Sequence, residues 1–172
     1  MLGKTIFILI LSIALMPFYV HIKAQQVNDR LLPEELSETE TQTILREKNP
    51  RPHVEATLKV SDARINTAIK LTDESQFKAA LQNVDVYAAL VKYAEDYTRK
   101  LPDSQVRDRN HCLKKIEQAI FKQSRNFDQV LREMPYNYRD ETERAINNVK
   151  KIRIRAINDL LGGGGVINSS NE

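Results

Sequence analysis

The chain has 172 residues, with 26 Lys and Arg against 23 Asp and Glu, five glycines and a single cysteine. One cysteine excludes an intrachain disulfide, and the near balance of charge removes any bulk-charge argument for nucleic acid. The glycines are Gly3 and the run Gly162 to Gly165, so residues 4–161 have none for a phosphate-cradling loop or a strained nucleophile turn. That excludes P-loop, dinucleotide-binding and serine-hydrolase readings, and it argues against tight β-hairpins.

Residues 1–24 read as a cleavable secretory signal. Lys4 precedes an apolar run from Ile6 to Val20, and small Ala24 stands where cleavage would fall. Pro17 would bend or end a helix in that run, which suits a signal better than a stable span. Ile22 is larger than the residue usual two places before the cut. The expectation is export to a periplasmic or extracellular compartment. The alternative is retention, with residues 5–22 as an inner-membrane anchor, since a span needs about 17–25 residues. Lys4 and Lys23 leave with the leader, so the remaining chain carries 24 bases against 23 acids.

Residues 25–51 read as an acidic N-terminal arm and linker. Within it, Ser37-Glu38-Thr39-Glu40 has the form of a capping box. The segment after it is expected either as a short helix to about Lys48 or as an arm without fixed structure. Asn49-Pro50-Arg51-Pro52 punctuates the chain.

Four long helical segments follow over residues 52–161. The first spans about 52–71, with Val54, Leu58, Ile65 and Ile69 on one side. The second spans about 74–100, with Phe77, Leu81, Val84, Ala88, Val91 and Ala94 at three- and four-residue steps. Asp103 is placed to cap the third, about 104–134, whose stripe is Leu113, Ile116, Ile120, Phe127, Val130 and Met134. At about 1.5 Å per residue this one continuous helix would exceed roughly 40 Å. The fourth spans about 138–161, with Gly162 where a C-terminal glycine belongs.

Short breaks predict antiparallel sequential helices. The expected fold is all-α, an elongated up-down-up-down four-helix bundle, with residues 162–172 as a flexible tail. A tetratricopeptide-like hairpin array is the competitor, but no period near 34 residues is found. Asn168-Ser169-Ser170 matches a glycosylation sequon that is common by chance.

Chemistry-bearing residues are few. His111 and Cys112 are adjacent, so on a helix they point about 100° apart and cannot easily share an ion. Cys112 falls on the core arc and His111 toward solvent. A metal site needs three or four ligands, and His53 offers no useful spacing. Arg109 and Arg153 lie within apolar arcs, where each either snorkels to an edge or pairs with an acid such as Asp62 or Asp85. Glu141 and Glu143 fall on different faces of their helix. No motif calls for a catalytic residue, a metal or another cofactor.

Arg144, Lys151 and Arg155 line the polar face of the last helix, with Lys150 to one side. They form an expected partner or anion surface. Val86, Tyr93 and Phe121 fall off their main stripes, either to pack on a second neighbour or to mark a self-association patch. The functional expectation is an exported, non-enzymatic helical-bundle protein acting through protein–protein contacts or self-association in the cell envelope. The alternative is a module for anionic lipids or envelope polymers that uses the basic face of the last helix. Nucleic acid is not an expected partner, and membrane attachment is expected only through an uncleaved leader.

Overall fold

The computed structural model describes residues 32–162. The leader, the first residues of the acidic arm, the glycine run beyond Gly162 and the Asn168 sequon lie outside the described residues. The described residues are all-helical, without strands: α1 (Glu38–Leu45), α2 (Pro50–Asp73), α3 (Phe77–Arg99), a 3-10 turn (Asp103–Gln105), α4 (Val106–Lys122), α5 (Ser124–Glu133) and α6 (Tyr136–Leu160). None of these helices is long and apolar enough to cross a membrane.

The capping box forms as expected. Ser37 Oγ accepts from the Glu40 N–H at 3.3 Å, and Glu40 Oε2 accepts from the Ser37 N–H at 2.9 Å. The arm therefore opens as a helix of eight residues. A helix so short is unstable alone. It is held because Ile44 is buried and because Glu40 pairs with Arg64 of α2, whose Nη2 also reaches the Glu35 carbonyl at 3.1 Å. The next helix begins at Pro50 rather than Pro52. Both prolines fall in the first turn, where a missing N–H costs nothing.

The α2–α3 turn is a Schellman motif. The Gln76 N–H reaches the Leu71 carbonyl at 2.8 Å and the Ser75 N–H reaches the Thr72 carbonyl at 2.9 Å. Ser75 occupies the left-handed position with φ 58, where glycine is usual. At the end of α6, Gly162 takes the corresponding position with φ 76, as expected from its place after the last apolar residue.

Two expectations fail at the third long helix. Asp103 is not its N-cap. A 3-10 turn leads into α4, and the Asp103 carboxylate instead accepts from Arg109 at 2.9 Å. The helix is also not continuous, because it breaks at Gln123. The Gln123 N–H is shared between the Ala119 and Ile120 carbonyls at 3.3 and 3.2 Å. Its buried side chain donates to Asp62 Oδ1 of α2 at 2.8 Å. That tie to another helix accompanies the break, and no glycine or proline marks it.

Residue pairs set the packing. His53 meets Tyr93 and Arg64 meets Asn83, so α2 and α3 run antiparallel. Arg51 meets Asp108, Asp62 meets Gln123 and Thr72 meets Glu133, so α2 runs parallel to α4 and α5. Glu95 meets Arg155 and Arg99 meets Asp159, so α3 runs parallel to α6. Two helical hairpins, α2–α3 and α4/α5–α6, thus stack side by side. Although consecutive, α3 and α4 meet less closely than α3 and α6. The shared core includes Val54, Ile65, Val84, Tyr87, Ile116 and Phe127.

Because left-handed backbone costs a side chain about 1 kcal/mol or more, Ser75→Gly is expected to raise stability by about 0.5–1 kcal/mol. Urea unfolding with an unchanged m-value measures it. No gain would mean that Ser75 carries no strain.

Candidate functional site

The four basic residues expected as a surface on α6 are divided by the structure. Arg155 is committed inward. Its Nε and Nη2 reach the two oxygens of Glu95 on α3, each at 2.7 Å. Glu95 is only 2 % exposed, and Arg99 adds a second cation at 3.2 Å. Burial works to raise the Glu95 pKa, but the hydrogen bonds and charges of Arg155 and Arg99 outweigh it, so the carboxyl titrates below its usual range. Arg144 lies 3.8 Å from Glu141 on the same helix. Lys150 and Lys151 are exposed, and neither forms an ion pair among the described residues.

Arg109 and Arg153 find partners other than Asp62 and Asp85. Arg109 Nη2 donates to the Leu101 carbonyl at 2.6 Å and pairs with Asp103. Arg153 Nε pairs with Glu117 of α4 at 2.8 Å. The Arg153 guanidinium also lies 4.7 Å above the Phe121 ring. Both side chains are part-exposed, which is the snorkelling geometry with a carboxylate at the edge.

The off-stripe residues part company. Val86 and Tyr93 are buried, so they pack on second neighbours. Phe121 remains 60 % exposed, and Ile154, next to Arg153, is exposed as well. A stacked Arg–Phe pair therefore marks the α4–α6 face. On the α3–α6 side lies a groove of about 380 Å³, bordered by Lys92, Lys151 and Arg155.

His53 is the polar centre that sequence reasoning missed. It is buried at the start of α2, stacked on Tyr97 with ring centroids 4.3 Å apart. Its Nδ1 lies 3.0 Å from the Glu47 carbonyl, which can only accept, so Nδ1 carries the proton. Nε2 then accepts from the Tyr93 hydroxyl at 2.9 Å. A neutral ring satisfies both bonds and pins the α1–α2 connection to α3. The sequence signal was weak: its partners lie six and forty residues away.

His111 reaches Glu55, at 3.3 Å. Cys112 is buried against the Pro50 carbonyl, and burial pushes its thiol up to about 11. At neutral pH it is a protonated, enclosed thiol that presents no sulfur to a second molecule. Among the described residues no group of three His, Cys, Asp or Glu side chains is placed to hold a metal ion. Comparison with family models, with curated proteins and with solved structures found no match.

Two outcomes follow from these centres. Burial, assisted by Lys48, depresses the His53 pKa below 6.5, against the pull of the Glu47 carbonyl. Just below about pH 6.5 the unfolded chain holds the His53 proton and the folded chain does not, so stability falls as pH falls through that window. His53→Gln, neutral throughout, is expected to flatten this slope in pH-dependent urea melts; an unchanged slope would show that His53 does not set it. At the second centre, Arg99 and Arg155 are 41 % and 43 % exposed while Glu95 is enclosed. Removing both cations strands a buried charge, so Arg99→Ala/Arg155→Ala is expected to cost about 3–5 kcal/mol. Glu95→Gln leaves two arginines that water can reach, and it is expected to cost less. Equal losses would contradict the asymmetry.

Proposed function

We propose that this chain is an exported, non-enzymatic protein acting through protein–protein contacts in the cell envelope. In this reading its two stacked hairpins amount to a four-helix bundle, and the α4–α6 face makes the contact. Export rests on the leader pattern of residues 1–24. The contact rests on one observation: Phe121 is 60 % exposed, yet the Arg153 guanidinium lies over its ring and is itself held by Glu117. An aromatic side chain ordered before binding loses little rotamer freedom on docking. Aromatic and arginine side chains dominate interface energetics. The partner is a second copy of the chain or another envelope protein with an apolar pocket and a carboxylate rim.

The test couples sedimentation of the leaderless chain over a concentration series with capture of envelope proteins on the same chain. Phe121→Ala is expected to weaken self-association or capture about thirtyfold or more, as a hot spot of 2 kcal/mol or more requires. Folding stability should stay within about 0.5 kcal/mol, as for an ordinary surface change. Unaltered association and capture by the variant would end the reading.

A second reading, recognition of an anionic ligand by the basic side of α6, is favoured by one observation. Lys151 borders the α3–α6 groove without an ion pair among the described residues.

A further inference from the structure

The groove between α3 and α6 has a physical origin. These helices run parallel, tied at one end by Glu95 with Arg155 and by Arg99 with Asp159. About two turns further back, α3 presents Ala88 and Ala89, whose methyl groups do not fill the space opposite Ile152 and Asn148. The volume left, about 380 Å³, lies at the lower end of the range for small-molecule sites, about 300–1,000 Å³. Its apolar lining is small, with two alanines on one wall and, on the other, Ile152, which is itself only 2 % exposed.

Charge is distributed unevenly around this lining. Lys92 is engaged by Asp96, and Arg155 by Glu95. Three cations thus meet two carboxylates, and the surplus positive charge resides on Lys151. Asn148, one turn away on the same helix, adds an amide that can donate to an anion. A small apolar groove with one uncompensated ammonium at its border matches an amphiphile carrying one tail and one negative head. A double-tailed lipid in a bilayer would need a broader apolar surface. A polyanion would engage Lys150 as much as Lys151.

We propose that the α3–α6 groove binds a single-chain carboxylate amphiphile, with its tail against Ala88, Ala89 and Ile152 and its head at Lys151. This inference rests on the second reading above and narrows it to one ligand chemistry. Lys151 supplies the attraction for the carboxylate, and Asn148 supplies a neutral hydrogen bond that fixes its orientation. The Glu95 clamp holds the two walls at their spacing, so the groove is present before the ligand arrives.

The probe is decanoate below its micellar concentration, titrated into the leaderless chain and followed by amide NMR shifts and calorimetry. Saturable shifts at Ala88, Ala89 and Ile152 are expected. Lys151→Glu should weaken binding at least tenfold, and so should Ala89→Phe, which fills the slot from an exposed position. Decyl maltoside, with the same tail and a neutral head, should bind at least tenfold more weakly. Unchanged melting curves establish that both variants are folded. The proposal is overturned if those amides do not respond, if the maltoside binds equally well, or if either folded variant binds like the parent. Phosphatidylglycerol vesicles separate this failure from that of the broader reading. Salt-sensitive vesicle binding that survives Ala89→Phe, with no decanoate response, overturns the groove and leaves the basic surface. No binding to either probe overturns both.

Discussion

Glu95 is the constraint on which the arrangement depends. Its enclosed carboxylate would be intolerable alone, and it is made acceptable by two arginines that reach it from partly hydrated positions. One of those arginines belongs to α3 itself and the other to α6. The requirement to neutralise Glu95 therefore selects α6, rather than the consecutive α4, as the close neighbour of α3. Asp159 extends the same pairing by one turn through Arg99. With that interface fixed, the alanine-lined groove and the exposed α4–α6 face both follow, since each is a flank of the same helix.

The second interface is built from a different set of groups. Along α2 and α4/α5 the pairs are Arg51–Asp108, Asp62–Gln123, Asn66–Asn126 and Thr72–Glu133. Most are at the surface or half-buried, so each contributes little energy. Their value is positional. They recur at a nearly constant offset close to sixty residues, the same offset that joins Glu95 to Arg155. Apolar stripes tell a helix which side to bury, and these pairs tell it against whom and at what height.

That division explains how much was legible in the sequence. The Ser37–Glu40 capping box, the apolar stripes and the place of Gly162 were readable because each is decided within a few residues. The break at Gln123 was not, because no glycine or proline marks it and the partner of its side chain, Asp62, lies sixty-one residues earlier. Asp103 has the composition of a cap, but Arg109 claims its carboxylate. Helical periodicity put Arg155 on the polar face and gave no hint of Glu95. On the candidate site, Lys150 and Lys151 are exposed. The Arg153–Phe121 pair required two off-pattern residues on different helices to be seen together. His53 was invisible for the same reason: Tyr93 and Glu47 become its partners only after α2 and α3 have met.

The near-constant offset has an entropic consequence. Within each hairpin the helices meet through short turns, so the entropy lost in bringing them together is small. Between the hairpins, contacts such as Asp62 to Gln123 and Glu95 to Arg155 close a loop of about sixty residues. Loop entropy therefore favours contacts within each hairpin over those between the hairpins. In the unfolded chain Glu95 is hydrated, where its charge costs little, and the folded chain encloses it together with Arg155 of α6.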